Sequence, residues 1–395
     1  MHDLKLALIP RDGLFFKDPR GWFTSASGRG RALGWPFPSS MRGVVRTAWG
    51  RSLEEADPDL RLDRNSWPER TREVRLHVLL PLRRKNSENW SPAHRMWPVP
   101  RDAFYQEGEE AVVRLDPVRG KVDVLGTLDG PPADALWWPD PEPGGKPSRS
   151  VPEWWEDEDF IAWLSGRTPK QAAKMGGSDL LALPRRVQIH VGIDPETLTH
   201  RESILFASET VETLDRDGAE WGIGLWTELP GPGDSLLSTP WTVGGKSRIA
   251  FPAPLGEAMF EPPARLLEAF DPGVPGLRLV TVTPAEFDQG WLPDGFELEH
   301  DRYLGRLPGV QDPVVLRAAF VDRPLHVSGW DVAGGRPKPT RRLVPPGSVF
   351  FFTRATGERF TPEEARALWL AHVGNHTEEG QGCVVPGVWY PRSTD

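Results

Sequence analysis

Arg29, Arg31, Arg42 and Arg46 lie in "GRGRALGWPFPSSMRGVVRTAWG", residues 28–50, interleaved with five glycines. Guanidinium forks match phosphate oxygens, glycines let a backbone approach closely, and a helix N-terminus favours anions. Ser39 and Ser40 stand at the expected helix start. "VGGKSR" sets Lys246 and Arg248 after the paired Gly244 and Gly245, a turn type that can cradle an anion. "GRPKPTRR" carries Lys338, Arg341 and Arg342 and no acid, and "GNHTEEGQG" places Gly380 and Gly382 in a loop. The chemistry of this set is binding of a polyanion. Trp22, Trp35, Trp241 and Trp330 stand beside these elements, where indoles can stack on unpaired bases or fill the core.

Catalytic patterns are missing from the sequence. It has no G-x-x-x-x-G-K-[ST], G-x-S-x-G, C-x-x-C or H-E-x-x-H. His372 and His376 have the i, i+4 spacing of paired metal ligands. His372 falls on an apolar stripe, however, and His376 follows the expected helix stop at Gly374, so no metal, cofactor or catalytic residue is assigned. The acids of "WWEDEDF" read as a solvated face.

Charge is uneven along the chain. The whole carries -9, with 38 Arg to 9 Lys, a ratio that chiefly reflects a GC-rich genome. Residues 1–51 hold nine bases against three acids, whereas residues 102–160 hold 15 acids against five bases. That balance predicts a local basic groove on a chain that otherwise repels nucleic acid. The acidic stretch includes Trp137, Trp138, Trp154 and Trp155, which reads as a protein-facing surface or as core. The single Cys383 permits no intrachain disulfide and fits a reducing cytoplasm. No run has the length or apolarity of a signal peptide or membrane span, so a cytoplasmic protein without a membrane partner is expected.

The elements that must position these residues follow from periodicity. "LKLALI" alternates as a strand, and "PFPSSMRGVVRTAWGRSL" is a helix with Ser39 or Ser40 as N-cap. On that helix Gly43, Arg46 and Gly50 form a stripe open to close backbone approach. Residues 53–180 are the least regular and read as a partly helical, acidic insertion, with helices at "EWWEDEDFIAWLSG" and "TPKQAAKMGG". "RRVQIHVGID" is a strand, "ESILFASETVETL" and "EWGIGLWTEL" a hairpin pair, and "LRLVTVTPAEF" a strand. "TPEEARALWLAHVG" is the clearest helix, with Thr361 and Glu364 in a capping box and Gly374 as its stop. The order predicts an α+β protein of two tandem ferredoxin-like βαββαβ domains, 1–235 with the insertion at about 53–180, and 236–395.

At these residues the sequence resembles a known family. "DGLFFKDPRGW" followed by "GWPFPSSMRGVVRTAW" is similar to the opening of the third subunits of Cmr (type III-B) CRISPR effector complexes, members of the RAMP superfamily. The likeness continues in order through "RVQIHVGIDPETLTHRESILFASETVETL", "TVGGKSRIAF", "GWDVAGGRPKPTRRLVPPGSVFFF" and "GQGCVVPGVW", and lapses over about 53–180. It implies two ferredoxin-like, RRM-like RAMP domains that grip the 5′ handle of a guide RNA. It implies a noncatalytic scaffold in antiviral defence, bridging the large polymerase/cyclase-like Cas subunit and the first backbone RAMP subunit. The alternative is a RAMP endoribonuclease that processes precursor guide RNA, with His326, His372 or His376 as acid–base residue.

Overall fold

The computed structural model describes residues 1–17, 28–63, 65–86, 88–109, 112–119, 136–140, 145–169, 182–331 and 334–392. Strands dominate and helices are few, an α+β architecture. Two compact units share the chain, the first built from 1–90, 182–256 and 326–341, the second from 91–181, 257–325 and 342–395. Each unit needs three chain segments, so a single cut near residue 235 does not generate them. Residues 91–181, expected within the first domain, cluster with the second unit.

In the first unit the chain forms β1 (His2–Pro10), β2 (Gly28–Gly30), α1 (Pro38–Ala56), β3 (Arg75–Arg84), β4 (Arg185–Ile193), β5 (His200–Val211), β6 (Glu220–Leu229), β7 (Trp241–Val243) and β8 (Arg248–Pro254). The main sheet runs β7-β8-β1-β6-β3, antiparallel throughout. Strands β1 and β3, joined through α1, therefore flank an inserted antiparallel β6, a split β-α-β unit. Met41, Val45 and Trp49 of α1 pack on Leu6, Leu76 and Leu225 of the sheet. The apolar spacing of the helix follows this stripe.

The structure departs from three sequence expectations in this unit. The N-cap of α1 is Phe37, not Ser39 or Ser40, and no side chain caps the helix. Pro38 takes the first helical position, which needs no N–H, and both serines fall inside the first turn. The expected insertion at 53–180 contains β3, a strand of the main sheet. Its continuous run "LHVLLPL" lacks alternation and holds Pro81, which is tolerated because β3 is an edge strand. The hairpin partner of β5 is β4, whereas β6 pairs with β1 and β3.

The second unit forms β9 (Gly276–Thr281), β10 (Glu297–Glu299), β11 (Arg302–Gly305), β12 (Val314–Phe320), β13 (Val349–Arg354), α2 (Pro362–Leu368), β14 (Ala371–His372) and β15 (Cys383–Trp389). Its sheet runs β10-β11-β12-β13-β9-β15-β14. The four central strands, taken in chain order as first to fourth, lie fourth-first-third-second across the sheet. So do β8-β1-β6-β3 of the first unit. The first unit has a helix between its first and second strands; the second has one between its third and fourth.

The capping box of α2 forms as expected: Thr361 Oγ1 accepts from Glu364 N at 3.3 Å, and Thr361 N donates to Glu364 Oε2 at 3.1 Å. The helix stops at Leu368, short of Gly374, because Leu370 turns left-handed at φ 57° and His372 pairs with Cys383. Cys383 is fully buried, and burial pushes its thiol up.

The acidic stretch is not the solvated face expected. Strand Trp154–Glu156 pairs with Met96–Pro98 and leads into the helix Asp157–Leu164. Asp157 accepts from Arg95 Nε and Trp97 Nε1, each at 2.8 Å. Trp155 is buried and donates to Tyr105 Oη at 2.7 Å, and Trp137 meets Trp389 edge-on at 5.7 Å. Of the four tryptophans singled out, Trp138 alone is exposed, at 51%. The expected helix at "TPKQAAKMGG" lies almost entirely outside the described residues. No helix among the described residues is long and apolar enough to cross a membrane.

Arg278 of β9 is fully buried and donates to Asp102, which also accepts from Trp163 Nε1 at 2.8 Å. Asp102→Ala strands a buried guanidinium, so its unfolding free energy is expected to fall by about 3–5 kcal/mol. Denaturant unfolding measures this; a loss under 1 kcal/mol, about the scale of a solvent-exposed ion pair, contradicts the packing described.

Candidate nucleic-acid interface

The turn between β7 and β8 carries the paired glycines. Gly244 has φ +69°, and the next non-glycine residues, Lys246 and Ser247, are also left-handed at φ 61° and 48°. Each such residue costs about 1–2 kcal/mol, so the surroundings must impose the shape. They do so through the loop after β1. Gly245 N donates to Phe15 O at 2.7 Å. A Cβ on Gly244 would stand 2.7 Å from Phe15 O, and one on Gly245 2.7 Å from Phe15 Cδ1. Only glycine fits either position.

The forced turn aims Lys246 at the β4–β5 hairpin. Lys246 Nζ donates to Ser208 Oγ at 2.9 Å and lies 3.5 Å from His190 Nε2. Ser208 Oγ lies 2.9 Å from the same His190 nitrogen, and the imidazole stacks on Phe206 at 5.1 Å. On the other side of β5, β2 runs parallel to it, with Arg29 paired to Ala207 and Gly30 to Ser208. The Arg29 backbone is thus one residue from the Lys246 contact, and exposed Arg31 follows directly. Nε of Arg248 is buried with no hydrogen-bond partner among the described residues.

The hairpin is two-faced. Val187, Ile189, Val191 and Ile193 alternate onto one face and remain 45–73% exposed. Gln188 and His190 alternate onto the other, with Ser208 opposite Gln188. A cationic, hydrogen-bonding surface and a bare aliphatic surface therefore stand back to back.

The family described as CRISPR-associated protein (Cas_Cmr3) matches residues 6–389. The chain belongs to the Cas_Cmr3 family. Two solved structures are similar to this family member. One is the cryo-EM structure of the Type III-B Cmr-beta bound to cognate target RNA and AMPPnP, state 1, at 13% identity and TM-score 0.44, covering 88% of this chain and 86% of that one. The other is the Type III-B Cmr-beta bound to cognate target RNA, at 12% identity and TM-score 0.42, with the same coverages. No curated protein matches.

The remaining sequence-selected residues of this Cas_Cmr3 chain are spread more widely. Arg42 donates from Nε to Val74 O and from Nη2 to Arg72 O, both at 2.8 Å. Arg46 donates to Thr71 Oγ1 at 3.0 Å and Pro68 O at 3.3 Å. Both tie α1 to the segment that enters β3. On the same helix a Cβ at Gly50 would stand 2.7 Å from Trp67, whereas Gly43 faces open space. Trp241 is buried, its Nε1 donating to Leu236 O, and Trp35 packs on Trp221 at 6.2 Å. Trp22 lies outside the described residues. Lys338 is exposed in the first unit; half-buried Arg341 ends that unit, and exposed Arg342 opens the last segment of the second. Gly380 and Gly382, at φ 82° and 68°, belong to the second unit, as do His372 and His376.

Sequence reasoning missed His190, Ser208 and Phe15. The alternation of "RRVQIHVGI" sets His190 opposite the aliphatic face, but a lone strand histidine carries no motif, and only the fold brings Lys246 to it. Arg42→Ala is expected to lower unfolding free energy by roughly 1–2 kcal/mol, through two lost bonds to carbonyls, and to leave RNA affinity unchanged. Normal stability with weakened RNA binding would return Arg42 to the interface.

Proposed function

We propose that this chain is a noncatalytic RNA-binding scaffold of a type III-B CRISPR ribonucleoprotein, holding the 5′ handle of the guide RNA. The observation that carries the reading is the forced Gly244–Gly245 turn, which sets Lys246 beside β5 and the Gly28–Gly30 strand. The glycines let the turn close on Phe15 and leave its residues 244–247 exposed, and Lys246, Arg29, Arg31 and Arg248 supply positive charge. Lys338 and Arg341 add basic residues in the same unit, and Arg42 and Arg46 hold the helix that covers its sheet; Arg342, Gly380 and Gly382 are RNA contacts of the second unit taken by itself. Sequence choice on a target falls to base pairing, so a subunit of this kind needs only shape and charge.

Each unit is, on this reading, a ferredoxin-like RAMP domain that retains one of its two helices. The support is the fourth-first-third-second strand order common to both. The aliphatic face of β4 is the surface offered to a protein neighbour, as is the cavity of about 490 Å³ lined by Trp137, Trp138 and Phe320. The neighbours are the large polymerase/cyclase-like subunit and the first backbone RAMP subunit.

A second reading has a specific observation behind it. His190 beside Lys246 and Ser208 is the kind of acid–base group that a RAMP endoribonuclease requires. Incubation of the chain with repeat RNA in a chelator separates the two. Intact RNA supports the scaffold; cleavage at one site, lost in His190→Ala, supports the nuclease.

Removing one phosphate contact flattens the salt dependence of binding by about one unit of slope. Lys246→Ala is therefore expected to bind handle RNA more weakly, with a log–log salt slope shallower by about that amount. Titrations at several salt concentrations measure both; unchanged affinity and slope exclude the turn from the RNA site.

A further inference from the structure

The polar face of the β4–β5 hairpin carries more than charge. Gln188 and His190 stand two residues apart on β4, on the face opposite Val187, Ile189 and Val191, so about 7 Å separates them along the strand. Gln188 is the register partner of Ser208, and His190 that of Phe206. Lys246 reaches the same face from the forced turn. All of these residues belong to the first unit.

The hydrogen bonds assign the protons. A lysine ammonium only donates, so Ser208 Oγ accepts from Lys246 Nζ at 2.9 Å. The hydroxyl hydrogen of Ser208 then goes to His190 Nε2, 2.9 Å away. Lys246 Nζ, at 3.5 Å, can also only donate toward that nitrogen. Nε2 is therefore an acceptor, and the imidazole is the neutral tautomer with its hydrogen on Nδ1. The ring is held by its stack on Phe206, with 18° between the planes. Gln188 is exposed, and no described residue bonds its amide or His190 Nδ1.

Ammonium and guanidinium groups serve a phosphate well. Here the network fixes a neutral N–H donor beside an amide that offers both a donor and an acceptor. A fully ionised phosphodiester accepts hydrogen bonds and has none to give, so the Gln188 carbonyl oxygen finds no partner on it. A base edge supplies both kinds, and unpaired RNA is read through such edges. Adenine sets an amino donor beside a ring-nitrogen acceptor, the arrangement that a glutamine amide matches with two bonds.

We propose that Gln188 and His190 read one unpaired base of the RNA strand held by the turn, with adenine preferred. Gln188 takes the amino group and the neighbouring ring nitrogen, and His190 Nδ1 donates to a further acceptor of the same nucleotide. Lys246 positions the imidazole through Ser208. This selectivity rests on the RNA-binding role proposed above: the turn supplies affinity for any RNA, and the hairpin face chooses a base.

Fluorescence anisotropy of labelled oligo(rA), oligo(rC) and oligo(rU) with the full chain tests it. The wild type is expected to bind oligo(rA) roughly tenfold more tightly than the other two, the scale of one bidentate base contact. Gln188→Ala, at an exposed position, is expected to fold normally and to bind the three alike; His190→Ala narrows the preference, and Lys246→Ala weakens all three. Equal affinity of the wild type for the three, a preference for another base, or a preference that survives in Gln188→Ala would overturn the assignment and leave the RNA site in place. Binding of none of the three would remove the RNA reading itself, and the assignment with it.

Discussion

The peptide N–H of Gly245 reaches Phe15 O across a gap too narrow for any side chain. This contact joins the loop after β1 to the turn before β8 and forces Lys246 and Ser247 into the left-handed region. The loop after β1 also carries the chain toward β2: Leu33 N donates to Phe16 O at 2.7 Å, and Lys17 bridges to Ala32. One close approach thus gathers the basic turn, the Gly28–Gly30 strand and the β4–β5 hairpin. A lysine on an ordinary turn samples many rotamers; here the backbone is committed and Nζ is tied to Ser208 Oγ at 2.9 Å, so the side chain is already ordered.

The sheets supply the frame. In each unit's main sheet the strand that comes first in the chain is hydrogen-bonded on both edges, so sequence-distant segments meet across it. The units differ in which crossover carries a helix. In the first, α1 covers the sheet, and its arginines hold the segment entering β3. In the second, α2 is short, and the helix Asp157–Leu164 adds to the packing, with Trp97 stacked on Phe160 at 4.8 Å and edge-on to Trp369 at 5.5 Å. Tryptophans in an acidic stretch are therefore structural wherever their N–H meets a buried acceptor, as with Trp163 and Asp102.

Much of this was legible in the sequence where local chemistry decides. The alternation of "LKLALI", the capping box at Thr361 and the paired glycines before Lys246 each declare their structure through nearest neighbours. What was illegible depends on distant partners. Strand β3 hides behind Pro81 because only its edge position excuses the proline. The β4–β5 pairing competes with an equally plausible β5–β6 hairpin, since both are apolar runs joined by polar turns. The acids of "WWEDEDF" cannot be told from a solvated face until Arg95 and Trp97 arrive from sixty residues upstream. The arginines at 42 and 46 look alike to a reader of composition, yet both donate to protein carbonyls, while the lysine that faces the hairpin sits two hundred residues away.

The central claim is that the forced turn and the Gly28–Gly30 line form one RNA-facing surface. Photo-crosslinking of a guide RNA carrying 4-thiouridine in its 5′ handle, within the assembled ribonucleoprotein, tests it most directly. The account predicts crosslinked peptides from both residues 28–31 and 244–248. Crosslinks confined to other segments, in a complex that is intact and carries its guide, would contradict it.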